Sequence, residues 1–374
     1  MRHIFIILSL LTCSLAAAES VKDSKVSINE SITRGVDFLV KHQNPNGSWG
    51  TPHRTKGLNI FAPLPDAHQA YKAASSALAL HGLLECGDRR PATVASIQKG
   101  EKWLLSVLPQ QRSINRIATY NIWGHSYGLR ALSSLYRENN DPEKRAEYIR
   151  HAKIQIKKLQ AYEDVNRGWG YYDFDDITAK PTGSIMSFTT ATALLAMIEA
   201  SQTMDIELPK EMMKRSLASL QEMRTPDFSY VYSRSHRYRP RGLINRPAGS
   251  LGRSQACNAA SRALGDKDIT NDVLSTWLQR LFDRNGWLDI GRKRPIPHEA
   301  PAAVAGYFYY YGHYYATECI QMLPENEQGP WKEKLAALMI SKQEKNGSWW
   351  DFPLYNYHYA YGTGYVLAIL GKCQ

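Results

Sequence analysis

Arg34-Gly35-Val36-Asp37-Phe38-Leu39-Val40-Lys41-His42-Gln43-Asn44-Pro45-Asn46-Gly47-Ser48-Trp49 is the stretch on which the fold turns. Apolar residues recur in it at helical spacing, a Gln follows, and an Asn-Gly pair then ends the helix. Its closing phrase returns as Asn346-Gly347-Ser348-Trp349, with weaker copies at Arg167-Gly168-Trp169 and Asn285-Gly286-Trp287. The four Trp are separated by one or two intervals of roughly 60 residues, the period of a repeat whose units bury their apolar faces only against neighbours.

Each period has two parts. The first is an amphipathic stretch; Lys99-Gly100-Glu101-Lys102-Trp103-Leu104 matches Arg34 to Leu39 position for position. A Gln often closes it, as at Gln43, Gln160, Gln221 and Gln343. The second is rich in small residues, as in Ala73-Ala74-Ser75-Ser76-Ala77 and Thr189-Thr190-Ala191-Thr192-Ala193. Small residues on several faces suit a helix enclosed on most sides. The spacing predicts outer helices over 29–42, 95–108, 143–160, 209–223, 270–283 and 330–343. Inner helices are predicted over 68–86, 121–138, 187–203, 250–264, 301–322 and 356–371. The expected fold is all-α: a single α/α toroid of six helical hairpins, with inner and outer rings.

Arg2 and His3 precede the apolar run Ile4 to Leu15, too short to span a bilayer, and Ala16-Ala17-Ala18 follows. Residues 1–18 therefore read as a secretory signal, and 19–374 as one exported, periplasmic or secreted domain. The formal charge of +11 becomes +10 without Arg2. That balance points to an acidic glycan or another anionic or polar ligand rather than nucleic acid, although general solubility accounts for it equally well. A monomer with no membrane-spanning segment is expected. Cys86, Cys257, Cys319 and Cys373 remain, scattered and without a C-x-x-C pair.

The pattern from Arg34 to Trp49 resembles the QW repeat of terpenoid cyclases and protein prenyltransferases. The run Tyr307 to Tyr315, with Trp331 and Gly347-Ser348-Trp349, is similar to bacterial exported prenyltransferase/squalene-oxidase repeat proteins. The resemblance implies the toroid and a structural role for Gln and Trp in tying helix pairs together.

The inherited chemistries match poorly. Asp173-Phe174-Asp175-Asp176 looks like the cyclase acid motif, making Asp175 and Asp176 candidate acids. Yet Lys180-Pro181-Thr182-Gly183 separates it from its helix, and helix alignment puts Thr189 in the acid's place. His358 could serve the zinc of prenyltransferases, but no D-x-C supplies the thiolate. No metal or cofactor is expected.

In a toroid, the starts of inner helices surround a central depression. They bring Tyr71, His125, Tyr127, Tyr307, Tyr314, His358 and Tyr361 forward as ligand-binding candidates. Helical geometry turns only a third to a half of the Tyr307–Tyr315 run toward one cavity. The loop Tyr232 to Arg241 adds Arg237, Tyr238, Arg239 and Arg241, a basic rim suited to carboxylate or sulfate. From this rim comes a second reading, a lyase on acidic polysaccharide. Arg would neutralise the uronate, Asn258 would assist, and Tyr311 and His313 would act as base and acid. An isoprenoid cyclase with an altered acid is the third reading. Ring closure also sets Cys86 and Cys373 at the same height on neighbouring helices, which predicts a disulfide.

Overall fold

The computed structural model describes residues 28–56, 65–111, 121–171, 185–240 and 242–374. The expected secretory signal, Asp175, Asp176 and Arg241 lie outside the described residues.

The outer helices are α1 (28–41), α3 (Pro91–Val107), α5 (Pro142–Ala161), α7 (Lys210–Met223), α9 (Asn271–Asp283) and α12 (Glu325–Ser341). The inner helices are α2 (Pro65–Glu85), α4 (Asn121–Glu138), α6 (Ser187–Met204), α8 (Pro247–Ala263), α11 (Phe308–Gln321) and α13 (Tyr357–Cys373). A short helix, α10 (Asn285–Asp289), lies between α9 and α11. Local chemistry sets several starts: Pro91 stands in the first turn of α3, Asp141 caps α5, and Thr270 caps α9. Around the inner ring α2 packs on α4, then α6, α8, α11 and α13 follow, and α13 returns to α2. The molecule is a closed α/α toroid, as the two-part repeat requires.

Three Trp residues hold the ring in one geometry. The indole N–H of Trp49, Trp169 and Trp349 donates to Leu39, Leu159 and Met339 carbonyls respectively, each at 2.8 Å. Their backbone N–H groups donate to Ser76, Thr190 and Thr363 hydroxyls on the inner helix that follows. Each Trp thus ties its outer helix to its inner one. Two of them also reach the next repeat: a Cβ on Gly100 would stand 2.8 Å from Trp49, and one on Gly35 2.7 Å from Trp349. The Gly of the repeat is therefore the floor on which the neighbouring indole lies. Gln43 donates to Gly47 and Ser96 carbonyls, and Gln343 to Gly347 and Ser31, all at 2.9 Å. Gln343 and Trp349 thereby join the last hairpin to α1.

The small-residue helices pack as enclosed rods. Ala73, Ala77, Thr189, Thr190, Ala191 and Thr192 are all buried. At the seam, α2 and α13 touch backbone to backbone; a Cβ on Gly364 would meet the Leu78 carbonyl at 2.3 Å. Because outer and inner helices alternate in direction, all inner helices start at one end of the toroid. At the opposite end lies a floor of buried charge. Arg130 pairs with Glu199 and Glu318, each at 2.7 Å, and Arg137 with Glu85 and Glu199. Burial alone would raise Glu199, but Arg130 and then Arg137 outweigh it and hold the carboxyl at about 2.

Four expectations are corrected. Trp287 is not a fourth buried copy, being 56% exposed: Asn285-Gly286-Trp287 forms α10 rather than a left-handed turn. The buried indole of this hairpin is Trp277, within α9, which donates to the Asp227 carbonyl in the turn after α7. The fifth inner helix begins at Phe308 rather than 301, after a segment in which Ala303 has φ of 53°. The sixth outer helix starts at Glu325, before Pro330, with Glu325 and Glu327 placed favourably in its first turn. Cys86 and Cys373 are free thiols. The two helix ends do abut, but it is Gly371 that faces Cys86, its Cβ position 2.9 Å from Cys86 Cα. Two residues on, about 200° around the helix, Cys373 is turned away, with Lys332 among the charges acting on its thiol.

Two substitutions test this frame by urea unfolding. Trp349→Ala should cost about 3–5 kcal/mol, from lost packing and the lost indole hydrogen bond to the Met339 carbonyl. Arg130→Ala should cost a similar ~3–5 kcal/mol by stranding Glu318 in the floor and leaving Glu199 to Arg137 alone. A loss under about 1 kcal/mol for either would contradict the role assigned to it.

Candidate functional site

The first turns of the inner helices surround a cavity of about 360 Å³. Tyr71, Ala74, Ser75 and Leu78 come from α2, Trp123 and Tyr127 from α4, and Phe188 from α6. Phe308 and Tyr311 come from α11, and Tyr357, Tyr361 and Tyr365 from α13. Connecting segments add Tyr171, Tyr232, Pro297, His298, Tyr307, Phe352 and Leu354. Thirteen of these nineteen side chains are Phe, Tyr or Trp, and none is Lys, Arg, Asp or Glu. Among the described residues the lining is aromatic and without formal charge, not basic.

The aromatic walls are organised. Trp123 lies parallel to Tyr127 and nearly parallel to Phe188, with centroids 5.8 and 6.0 Å apart. Phe188 also meets Phe308 and Tyr311 edge-on, the geometry favoured by ring quadrupoles. Deeper in, the Tyr127 and Tyr365 hydroxyls hydrogen-bond to each other. The Tyr311 hydroxyl donates to the Phe188 carbonyl at 3.0 Å and lies 3.0 Å from Thr192 Oγ1.

One wall carries a chain of polar groups. The Tyr171 and Tyr232 hydroxyls bond to each other, Tyr232 and Tyr307 hydroxyls lie 3.4 Å apart, and Tyr307 reaches His298 Nε2 at 2.9 Å. His298 Nδ1 lies 3.1 Å from the Ala303 carbonyl, which can only accept, so Nδ1 carries the hydrogen. Nε2 therefore accepts from Tyr307, and the phenols donate in sequence along the wall. Burial, opposed by the Ala303 hydrogen bond and helped by Arg253 and His236, pushes His298 down to about 4. The imidazole is neutral at physiological pH. His298 also has φ of 59°, a costly conformation for a residue bearing a Cβ.

Asp351 stands behind Tyr361. Its Oδ1 accepts from the Tyr361 hydroxyl at 2.8 Å, and its Oδ2 from the Tyr310 backbone N–H at 3.0 Å. Burial dominates over these bonds and over Arg292, and the carboxyl is pushed up to about 7.

Of the residues expected from sequence, Tyr71, Tyr127, Tyr307, Tyr311 and Tyr361 meet in the cavity. The other described candidates do not line it. His125 bonds to Gln155 on α5, and His313 to Asn285 and the Tyr309 carbonyl. His358 packs on Trp350, and Asn258 donates to the Phe228 carbonyl. Tyr314 lies below the cavity, bonded to His81 near the charged floor. Arg237 pairs with Glu222 at 3.0 Å and rests on Tyr238, itself 75% exposed, while Arg239 faces outward. The expected partners Tyr311 and His313 face opposite ways, as residues two apart on one helix must.

Trp123, Phe188, Tyr171, Tyr232, His298 and Phe352 were missed. The first two sit at inner-helix starts, where attention to hydroxyl and imidazole groups passed over them. The other four come from connecting segments, where periodicity is silent.

No family model matches the chain. Among solved structures, it is similar to cellobiose 2-epimerase from Spirochaeta thermophila DSM 6192, with TM-score 0.58 and 14% identity, over 94% of this chain and 97% of that one. An α-1,6-mannanase from Salegentibacter sp. HEL1_6 has TM-score 0.56 and 12% identity over 92% and 98% of the two chains. A type II terpene cyclase from Scytonema has TM-score 0.51 and 11% identity over 94% and 98%. At these identities the shared property is the fold, an α/α toroid that carries different chemistries.

Asp351 gives the site a pH signature. An unfolded Asp titrates near 3.9, so between about pH 4 and 7 the folded chain holds one proton more than the unfolded one. Its contribution to stability therefore falls as pH rises through that window, by about 4 kcal/mol at most. Asp351→Asn should remove this slope, so that its melting temperature relative to wild type is higher at pH 8 than at pH 5. An equal difference at both pH values would show that Asp351 titrates normally.

Proposed function

We propose that the protein binds, in its central cavity, a ligand with a largely apolar body and one oxygen function. The body lies among the rings of Trp123, Phe188, Phe308 and Tyr127, and the oxygen meets the Tyr171–Tyr232–Tyr307–His298 chain. The observation that supports this most is the uncharged aromatic lining. An apolar guest exchanges water for ring faces there, while the few polar groups fix its orientation. Export, a mature domain over 19–374 and a monomeric state belong to the same proposal. Among the described residues no helix is long and apolar enough to cross a membrane.

A glycan is the second reading. The mannanase neighbour was solved with α-1,6-mannotriose, and phenol rings with hydroxyls also suit neutral sugars. An acidic glycan, with a carboxylate on ring after ring, or a lyase mechanism would need cations in direct contact with it, and Arg237 faces Glu222 instead. Squalene-type cyclisation would need an acid from Asp175 or Asp176, outside the described residues.

Titration with the neutral fluorophore N-phenyl-1-naphthylamine tests the main reading. One molecule should bind per chain, with affinity lowered roughly tenfold or more by Trp123→Ala and unchanged by Arg237→Gln with Arg239→Gln. Salt-sensitive binding to a polyuronate, abolished by the double Arg substitution, would favour the acidic-glycan reading instead. Appearance of unsaturated-sugar absorbance would select the lyase.

A further inference from the structure

Arg253 of α8 is fully buried behind the polar wall of the cavity. Its Nε donates to the Tyr230 carbonyl at 2.8 Å, one terminal nitrogen to Ile244 at 2.8 Å, and the other to Gly249. These carbonyls take three of its five hydrogens and Asn245 Oδ1, at 3.4 Å, a fourth, but none of them balances its charge. Among the described residues no carboxylate comes within the 4.0 Å of an ion pair with Arg253. Burial pushes the guanidinium down, but only to about 10, so it stays protonated. The contrast with Arg130 is plain: that buried guanidinium has two carboxylates, and Arg253 has none.

Its position gives the bare charge a meaning. The guanidinium carbon lies 5.8 Å from the Tyr232 ring centroid and 6.0 Å from that of Phe308, and both rings face the cavity. One ring's thickness separates the cation from the space where a ligand would sit. In front of it stand the phenol hydroxyls of Tyr171 and Tyr232; an anion in the cavity would draw their hydrogens away from their phenol neighbours, because such bonds strengthen when they meet negative charge. An isolated buried cation is costly, and an anion brought into the cavity offsets that cost.

We propose that the oxygen function of the ligand is a carboxylate: the cavity takes an amphiphile whose apolar body fills the aromatic chamber and whose anionic end docks on the Tyr171 and Tyr232 hydroxyls, balanced by Arg253. This inference rests on the cavity-binding reading above. It also reassigns the anion preference first read from the surface arginines to one buried residue.

Displacement of N-phenyl-1-naphthylamine at pH 7.5 by decanoate, 1-decanol and decyltrimethylammonium tests it. Decanoate should bind about tenfold more tightly than decanol, and the ammonium more weakly than either. Arg253→Gln should erase the decanoate advantage while leaving decanol unchanged, and Arg253→Lys should retain most of it. Tyr232→Phe, which keeps the cation and the ring, should weaken decanoate several-fold more than decanol. This second variant decides the matter even if Arg253→Gln does not fold. Decanol binding as tightly as decanoate overturns the carboxylate proposal and leaves the apolar cavity standing. Failure of decanoate and decanol alike to displace a bound fluorophore overturns the carboxylate end as well, and failure of the fluorophore itself to bind overturns the cavity reading.

Discussion

An indole that must lie on a glycine is the constraint from which the rest of this molecule follows. Trp349 bonds to its own outer helix, bonds to its own inner helix, and covers Gly35 of the next repeat. Those three demands leave little freedom in the rotation between neighbouring hairpins. Repeated at Trp49 over Gly100, the same rotation carries the chain around until the sixth hairpin meets the first. Closure is thus a property of one local junction used several times, as in other repeat architectures. It also explains why α2 and α6 are rich in Ala, Thr and Ser, and why Gly stands where α13 crosses α2: adjacent backbones leave no room there for larger side chains.

Closure then sorts the interior by height. At the starts of the inner helices, rings of Tyr, Phe and Trp border open space. At their far ends, Glu85, Glu199 and Glu318 pair with Arg130 and Arg137 in a compact cluster. Such a cluster contributes less to stability than an apolar plug of equal volume would. What it does provide is a rigid, directional base for Tyr314 and Tyr315, over which Arg130 is placed at 5.8 Å from each ring. The chamber therefore has a fixed bottom and a single chemically distinct wall, the one backed by Arg253.

The sequence made the scaffold legible and the chamber only partly so. Periodicity located all twelve ring helices because outer and inner stretches differ in composition, and Asn-Gly marks the end of α1 without ambiguity. It misread Asn285-Gly286-Trp287 because the same letters can continue a helix when no neighbour presents a glycine to the indole. Gln160 likewise matches the pattern, yet it is exposed. The five cavity tyrosines foreseen correctly all stand at inner-helix starts. His125, His313 and His358 occupy similar positions along their helices but differ in azimuth, and azimuth depends on packing. Tyr232 and His298 escaped notice because they reach the cavity from irregular segments, and Arg253 because a buried charge has no signature in composition.

The seam between α13 and α2 joins residues from the two ends of the polypeptide; Gln343 reaches Ser31 and Gly364 touches Leu78. During synthesis, the first hairpin must wait for almost the entire chain before its missing neighbour exists. Until then an aromatic-rich interior stands open to water along one side, with Gly35 uncovered and the α2 backbone unprotected. The chamber is consequently the last feature to form, and a ribosome that stops short of α13 releases a sticky arc rather than a smaller ring.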